Sequence, residues 1–473
     1  MKFRSRGIFA AIIFACALSA PGEAPFSFEA TPGNLPKDII PQRYAIRIEP
    51  SLEKETFRGS VAIDLEVRKP VRQIVLHAKE LTIEKARLTG SDAILEPKLD
   101  PKTETLTLSL PNDLPAGAAQ LTIEFFGKLS ERPQGLYITR YPTNHGEERA
   151  LITQFEATDA RRMFPCWDEP VFRAKYQLTV VVPAKDDAVS NMPIEREQPR
   201  DDALKEVAFA ETPSMPSYLL ALCTGKFEVI EDEIDGIKLR VFTTEGKREQ
   251  GRYAMQATKL ILPYYNDYFG VKYPLPKLDQ LSFASTASGG MENWGCIIYT
   301  DTAFLYDPAT SSQRTKERVF EVIAHEIAHQ WFGDYVTMAW WDNLWLNEGF
   351  ASWMGTKATD HFNPDWKSWL RAADEKEWAM RLDARSTTHP IQQPITRESQ
   401  VNDIFDVITY SKGQAFLRML ETWLGEEPFR DGLRLYMKRH AYSNATTADL
   451  WAALGEASRK PVAKMAAEWT EQP

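Results

Sequence analysis

The sequence predicts a multidomain α+β protein, with a β-sandwich-like N-terminal domain over residues 25–228 and a mixed, helix-rich domain over 229–473. Three observations predict it. At 473 residues the chain is too long for one ordinary domain. Through its first half apolar residues alternate with polar ones, the period of a half-buried strand. Beyond about residue 250 they recur every three or four positions, the period of a helix.

The first residues stand apart from both domains. Lys2, Arg4 and Arg6 precede an apolar run from Gly7 to Ala20, which has the charge and length of a secretory signal. The run is too short to span a bilayer as a stable helix. Small residues near Ser19 suit a signal peptidase. Residues 1–24 are therefore expected to be a signal peptide and the protein to be exported, periplasmic or extracellular, with no stable membrane insertion after cleavage.

Strands come next. Tyr44, Ile46 and Ile48 alternate with polar neighbours, as do Val61, Ile63, Leu65 and Val67, then Leu106, Leu108 and Leu110, then Leu121, Ile123 and Phe125. Pro111-Asn112-Asp113 reads as a turn between two of these runs. The acidic stretch Glu231-Asp232-Glu233 marks the boundary between domains. After it, Ala254, Ala257, Leu260, Ile261, Tyr264, Tyr265 and Tyr268 lie on one helical face. Further helices are expected near 313–332, 347–359 and 410–424. No Pro-rich linker separates the halves, so the two domains are expected to pack together. Beyond the signal, Cys166, Cys223 and Cys296 are too few and too scattered for a disulfide framework and read as buried thiols. A formal charge of −10 excludes nucleic acid and anionic membranes as main partners, because both repel an acidic surface.

The chemistry begins at His325-Glu326-Ile327-Ala328-His329. On a helix the two histidines lie one turn apart on one face and can reach one metal, and Glu326 stands beside the water such a metal holds. Zinc with three protein ligands keeps a position open for that water. Glu348, separated from His329 by eighteen intervening residues and with Gly349 after it, fits a helix–turn–helix return and supplies the third ligand. One Zn2+ per chain is expected.

Four motifs together carry a resemblance. His325-Glu326-x-x-His329 with Glu348 is similar to the gluzincin aminopeptidases, the family of aminopeptidase N and leukotriene hydrolase. Gly289-Gly290-Met291-Glu292-Asn293 looks like that family's exopeptidase signature, with Gly290 where Ala is commoner. Gln154-Phe155-Glu156 leading into Ala160-Arg161-Arg162-Met163-Phe164-Pro165-Cys166-Trp167-Asp168-Glu169-Pro170 is a third match, and Tyr410-Ser411-Lys412-Gly413 a fourth. The resemblance runs from about Pro41 to the last residue. It implies a thermolysin-like catalytic domain and a metal-activated water that attacks the N-terminal peptide bond of peptides with a free N-terminus. Glu326 would be the base and Tyr410 the donor to the developing oxyanion. Glu292 and Glu156, with Gln154, would hold the substrate's α-ammonium, and Gly289, Gly290, Met291 and Asn293 would border its backbone. Glu321 and Ser288 are weaker candidates, for orienting a ligand and lining the first side-chain pocket. The competing readings are a catalytically silent peptide-binding relative, which the intact ligands oppose, and a general endopeptidase, which the Glu292 motif opposes. Family members usually continue into further domains, whereas this chain stops at Trp469-Thr470-Glu471-Gln472-Pro473, so a less stable or less soluble protein than a longer relative is expected.

Overall fold

The computed structural model describes residues 23–90, 93–200 and 203–473; the signal-like run and Cys16 lie outside the described residues. Strand Ile39–Ser51 pairs antiparallel with Thr56–Val67 and parallel with Lys175–Pro183, so that Tyr44 faces both Ile63 and Tyr176. The two tyrosine rings stack at 5.0 Å. Strand Thr56–Val67 pairs in turn with Gly117–Lys128, bringing Val61 opposite Ile123 and Ile63 opposite Leu121. The alternating residues named above are buried, and they form one row because side chains two apart share a face. These strands centre a seven-stranded sheet, accompanied by sheets of four and three strands. The three-stranded sheet contributes Ile74, Leu76, Leu106 and Leu108 to the same apolar core.

One local reading changes. Pro111-Asn112-Asp113 is not a break but lies inside strand Thr105–Leu114. Its ladder jumps from the Gln73–Ser109 pair to the Val71–Leu114 pair, leaving the proline, which has no N–H to donate, in an irregularity. The acidic stretch is likewise structured. It belongs to strand Glu228–Ile234, which turns through Asp235 and Gly236, both at positive φ, into strand Ile237–Thr243. This hairpin opens a five-stranded sheet and places Glu231, Asp232 and Glu233 at its edge, where charge discourages pairing with another chain.

The five-stranded sheet continues through Lys277–Phe283, Cys296–Thr300 and, at its other edge, the two-residue strand Gly290–Met291. Around it lie helices α1 (Arg252–Phe269), α2 (Gln313–His329), α3 (Trp345–Phe362), α4 (Ser368–Asp383) and α5 (Gly413–Leu424). Helix α1 buries the expected face except for Leu260, which is exposed, and Tyr264, which is half-buried. Helix α2 begins at Ser312, whose hydroxyl accepts the Thr315 N–H, a favoured N-cap. Helix α3 is buried on nearly every side, its polar Asn347, Glu348, Thr356 and Thr359 included. Trp331, Trp340, Trp341 and Trp345 are all core residues.

The halves do pack together. Tyr137, Ile152 and Cys223 of the four-stranded sheet share a core with Phe242, Leu281, Cys296 and Ile298 of the five-stranded sheet. Cys166, Cys223 and Cys296 are buried free thiols, as expected. No helix among the described residues is long and apolar enough to cross a membrane.

Candidate active site

Helices α2 and α3 lie against each other where Gly355 removes a side chain: a Cβ there would meet the His325 backbone nitrogen at 3.1 Å. That close approach brings the first turn of α3 to the last turns of α2. Glu348 Oε2 lies 3.3 Å from His325 Nε2 and 3.4 Å from His329 Nε2, and the two imidazole nitrogens are 3.1 Å apart. His329 Nδ1 donates to the Phe332 carbonyl at 2.9 Å, so in the neutral ring Nε2 keeps its lone pair for a metal. Glu348 Oε2 is buried without a hydrogen-bond partner. Tetrahedral zinc with ligands at about 2.0–2.2 Å separates neighbouring donors by about 3.3 Å. The three edges match that separation, and the donor set of two imidazoles and a carboxylate suits the same ion, so these residues can hold zinc.

Carboxylates crowd the surroundings. Oxygens of Glu156, Glu292 and Glu348 lie within 4.8 Å of one another, and Glu292, Glu326 and His329 form an overlapping group. Glu156 Oε1 and Glu292 Oε1 are buried and unpartnered. Burial and the neighbouring carboxylates push Glu156 well above the ordinary range, and burial lifts Glu292. Burial also raises Glu326 well above it, against the pull of His329. Glu348 goes the other way: His329 and His325 outweigh its burial and hold it ionised. Burial alone would lower His329, but Glu292 and Glu348 raise it well above the usual value. The site is thus an excess of negative charge in a dry place, and it favours cations.

The glycine motif sits where a sheet edge meets this cluster. Gly290 pairs with Tyr299 and Met291 with Ile298, leaving the other side of the strand open. A Cβ on Gly290 would lie 2.2 Å from Glu326 Oε1, so the carboxylate occupies the space that the missing side chain leaves. Gly289 accepts the Thr300 N–H at 3.1 Å. Gln154 donates to the Glu156 carbonyl at 3.3 Å and lies 3.4 Å from Met291 Sδ, tying the two acidic motifs together. Asn293 is buried behind them. Tyr410 occupies a π-helical turn, Ile408–Lys412, with its ring parallel to His325 at 6.2 Å. Two glycines make that approach possible, because Gly349 and Gly413 meet backbone to backbone where a Cβ would stand about 3.3–3.4 Å from the other residue. Burial, then Glu348, pushes the Tyr410 phenol well above its ordinary value and keeps its proton on.

The expected ligands, base and amine-binding carboxylates therefore come to one place, whereas Arg161 and Asp168 of the third motif pair with each other away from it and two weaker candidates lie apart. Glu321 accepts from Thr356 at 3.2 Å and faces Arg371 rather than His325, and Ser288 is exposed. One residue escaped notice. Gln330 donates to the Glu292 carbonyl at 2.8 Å and accepts the Gly295 N–H at 2.9 Å, riveting the glycine motif to the end of α2. Its position directly after His329 was the only available signal.

Two family descriptions match the chain in order: the peptidase M1 N-terminal domain over residues 40–219 and the peptidase family M1 domain over 253–469. Aminopeptidase M1 of Arabidopsis thaliana is 44% identical over 446 residues, covering 93% of this chain and 51% of that protein. The puromycin-sensitive aminopeptidase of Caenorhabditis elegans is 40% identical over 446 residues, 93% of this chain and 47% of its own length. The alanine/arginine aminopeptidase of Saccharomyces cerevisiae is 38% identical over 445 residues, 93% of this chain and 52% of its own. The chain spans about half the length of the curated relatives it matches. They correct one expectation. Export to a periplasm or an extracellular space is not a location that the plant, nematode and yeast relatives support. That expectation rested on charge and hydropathy alone, in residues 1–22 that lie outside the described ones. With both halves matching one family in sequence and relatives aligning along nearly its whole length, the chain belongs to peptidase family M1.

Proposed function

We propose that the chain is a zinc metallo-aminopeptidase that hydrolyses the N-terminal peptide bond of peptides. The observation that carries this reading is the pair of buried, unpartnered oxygens on Glu156 and Glu292 beside the His325, His329 and Glu348 triangle. Carboxylates left unpaired in a buried site are costly, and a substrate α-ammonium offsets that cost. An internal peptide segment brings no such cation, so the charge arrangement selects chain ends.

Zinc held by His325, His329 and Glu348 would supply Lewis acidity, acidifying water and polarising a carbonyl. The remaining work falls to the chain. Glu156 and Glu292 hold the ammonium, with Gln154 fixing the spacing between their motifs. The open edge at Gly289, Gly290 and Met291, backed by Asn293, takes the peptide backbone as an added strand. Glu326 accepts the proton of the attacking water and passes it to the leaving amine. Tyr410, protonated, donates to the carbonyl oxygen as negative charge develops on it.

The test is turnover of aminoacyl anilides with free and with N-acetylated amines, with and without a chelator. Free-amine substrates are expected to react at least roughly 30-fold faster, in keeping with about 2 kcal/mol for one partner of a buried charge pair, and the chelator to abolish the reaction. Equal cleavage of both substrates would sink the amine-binding role.

A further inference from the structure

The turn that carries Tyr410 is gripped from outside the site. Asp406 Oδ1 accepts the N–H groups of Ile408 at 2.9 Å and Thr409 at 3.3 Å, capping the turn at its start. Asp406 Oδ2 lies 3.0 Å from His389 Nε2, and His389 Nδ1 lies 2.8 Å from the Pro390 carbonyl. A carboxylate and a carbonyl oxygen can only accept, so both ring nitrogens must carry protons and His389 is an imidazolium. At the other end of the turn, Lys412 Nζ lies 3.0 Å from Asp383 Oδ2, at the last residue of α4. Thr388 also donates to Asp383, at 3.0 Å. The segment from Asp383 to Pro390 therefore holds the turn at both ends, with Tyr410 between them.

We propose that His389, paired with Asp406, is a positioning residue for the reaction: its imidazolium fixes the Ile408–Lys412 turn so that the Tyr410 phenol stays beside Glu348. The proposal rests on the aminopeptidase reading above and adds to it a residue that touches neither substrate nor metal ligand. The charged groups facing the ring are Asp406, in contact, and Lys412, whose charge Asp383 offsets. Without the imidazolium, His389 keeps a single N–H and can donate to Asp406 or to the Pro390 carbonyl but not to both, so the bridge between the turn and the neighbouring segment opens at one end and the capped turn can drift. A donor displaced by about 1 Å loses on the order of 10²-fold in rate, because the bond it makes exists only in the transition state.

Burial alone would lower His389, but Asp406 and the Pro390 carbonyl outweigh it and raise the ring above the ordinary histidine value. The clamp is therefore complete at and below the ordinary value and is lost as pH climbs through the raised one.

The experiment compares His389→Gln and Asp406→Asn with the parent chain, each alone and combined with Tyr410→Phe, on free-amine anilides. His389→Gln is expected to lower kcat about 10- to 100-fold, with KM within about twofold and zinc content unchanged. In the Tyr410→Phe background it should change kcat by less than about twofold, because the group it positions is gone. The alkaline decline of kcat in the parent should be absent from His389→Gln over the same range. Losses that multiply in the double variant, or an unaltered alkaline limb, overturn the proposal even while the parent turns over substrate. If the parent turns over none, the aminopeptidase reading fails by itself, and amide hydrogen exchange still decides the clamp. Faster exchange at Ile408 and Thr409 in His389→Gln, with Glu348 and its neighbours unchanged, supports it; equal exchange in both proteins overturns it.

Discussion

Glu326→Gln is expected to lower kcat by about 10²–10⁴-fold, the range general bases contribute, while zinc content stays at the parental level. The substitution is close to isosteric, and the space beside Gly290 that receives the carboxylate receives the amide equally well. What it removes is the capacity to take a proton. Burial raises this carboxylate well above the ordinary range and so makes it a stronger base than a surface glutamate, with His329 tempering the shift. The zinc-binding atoms belong to other residues, so metal analysis and steady-state kinetics separate the two roles. A Glu326→Gln protein retaining a tenth or more of parental kcat would remove Glu326 from proton transfer.

The second large effect is on stability. Arg161 is fully buried and serves three carboxylates: Nε donates to Asp168 Oδ2 at 2.9 Å, and Nη1 to Glu398 Oε2 at 2.7 Å and to Glu104 Oε2 at 3.2 Å. Its Nη2 also donates to the Asp168 carbonyl at 3.0 Å. Arg161→Met keeps the stem of the side chain and deletes the charge. It leaves Asp168, itself buried, with the Ser217 hydroxyl and the N–H of residue 161, and strands Glu398 on the far side of the domain junction. Breaking a buried pair from one side typically costs about 3–5 kcal/mol. Urea unfolding should show the midpoint falling with little change in slope. A midpoint equal to the parent's would mean that the junction is held by apolar packing alone.

The parts of the site that were legible in the sequence are those built from local spacing. His325 and His329 share a helical face by arithmetic, and Glu348 follows one helix later. The convergence of Glu156, Glu292 and Tyr410 on them was legible only through motifs, since nothing in the spacing of residues 156, 292 and 410 brings them together. The supporting contacts were not legible at all. Gly355 against His325, Gly349 against Gly413, and His389 against Asp406 are meetings between distant segments, and each residue alone is unremarkable. In the β-rich half, alternation identified the strands correctly because one face of each is buried. It failed at Pro111, where an irregular ladder absorbs residues that usually end a strand.

The shared core between the four-stranded and five-stranded sheets has a consequence for the nascent chain. Strands Gly135–Thr143, Gly146–Gln154 and Leu222–Gly225 leave the ribosome well before Leu281 and Ile298, the residues that cover their apolar face. At about 5–20 residues per second, the residues between 225 and 298 take roughly 4–15 s to be made. During that interval Tyr137, Ile152 and Cys223 present an uncovered sheet face with a free thiol in it. Vectorial synthesis thus sets a window in which this sheet face is open to contact with other chains and its thiol is open to oxidation.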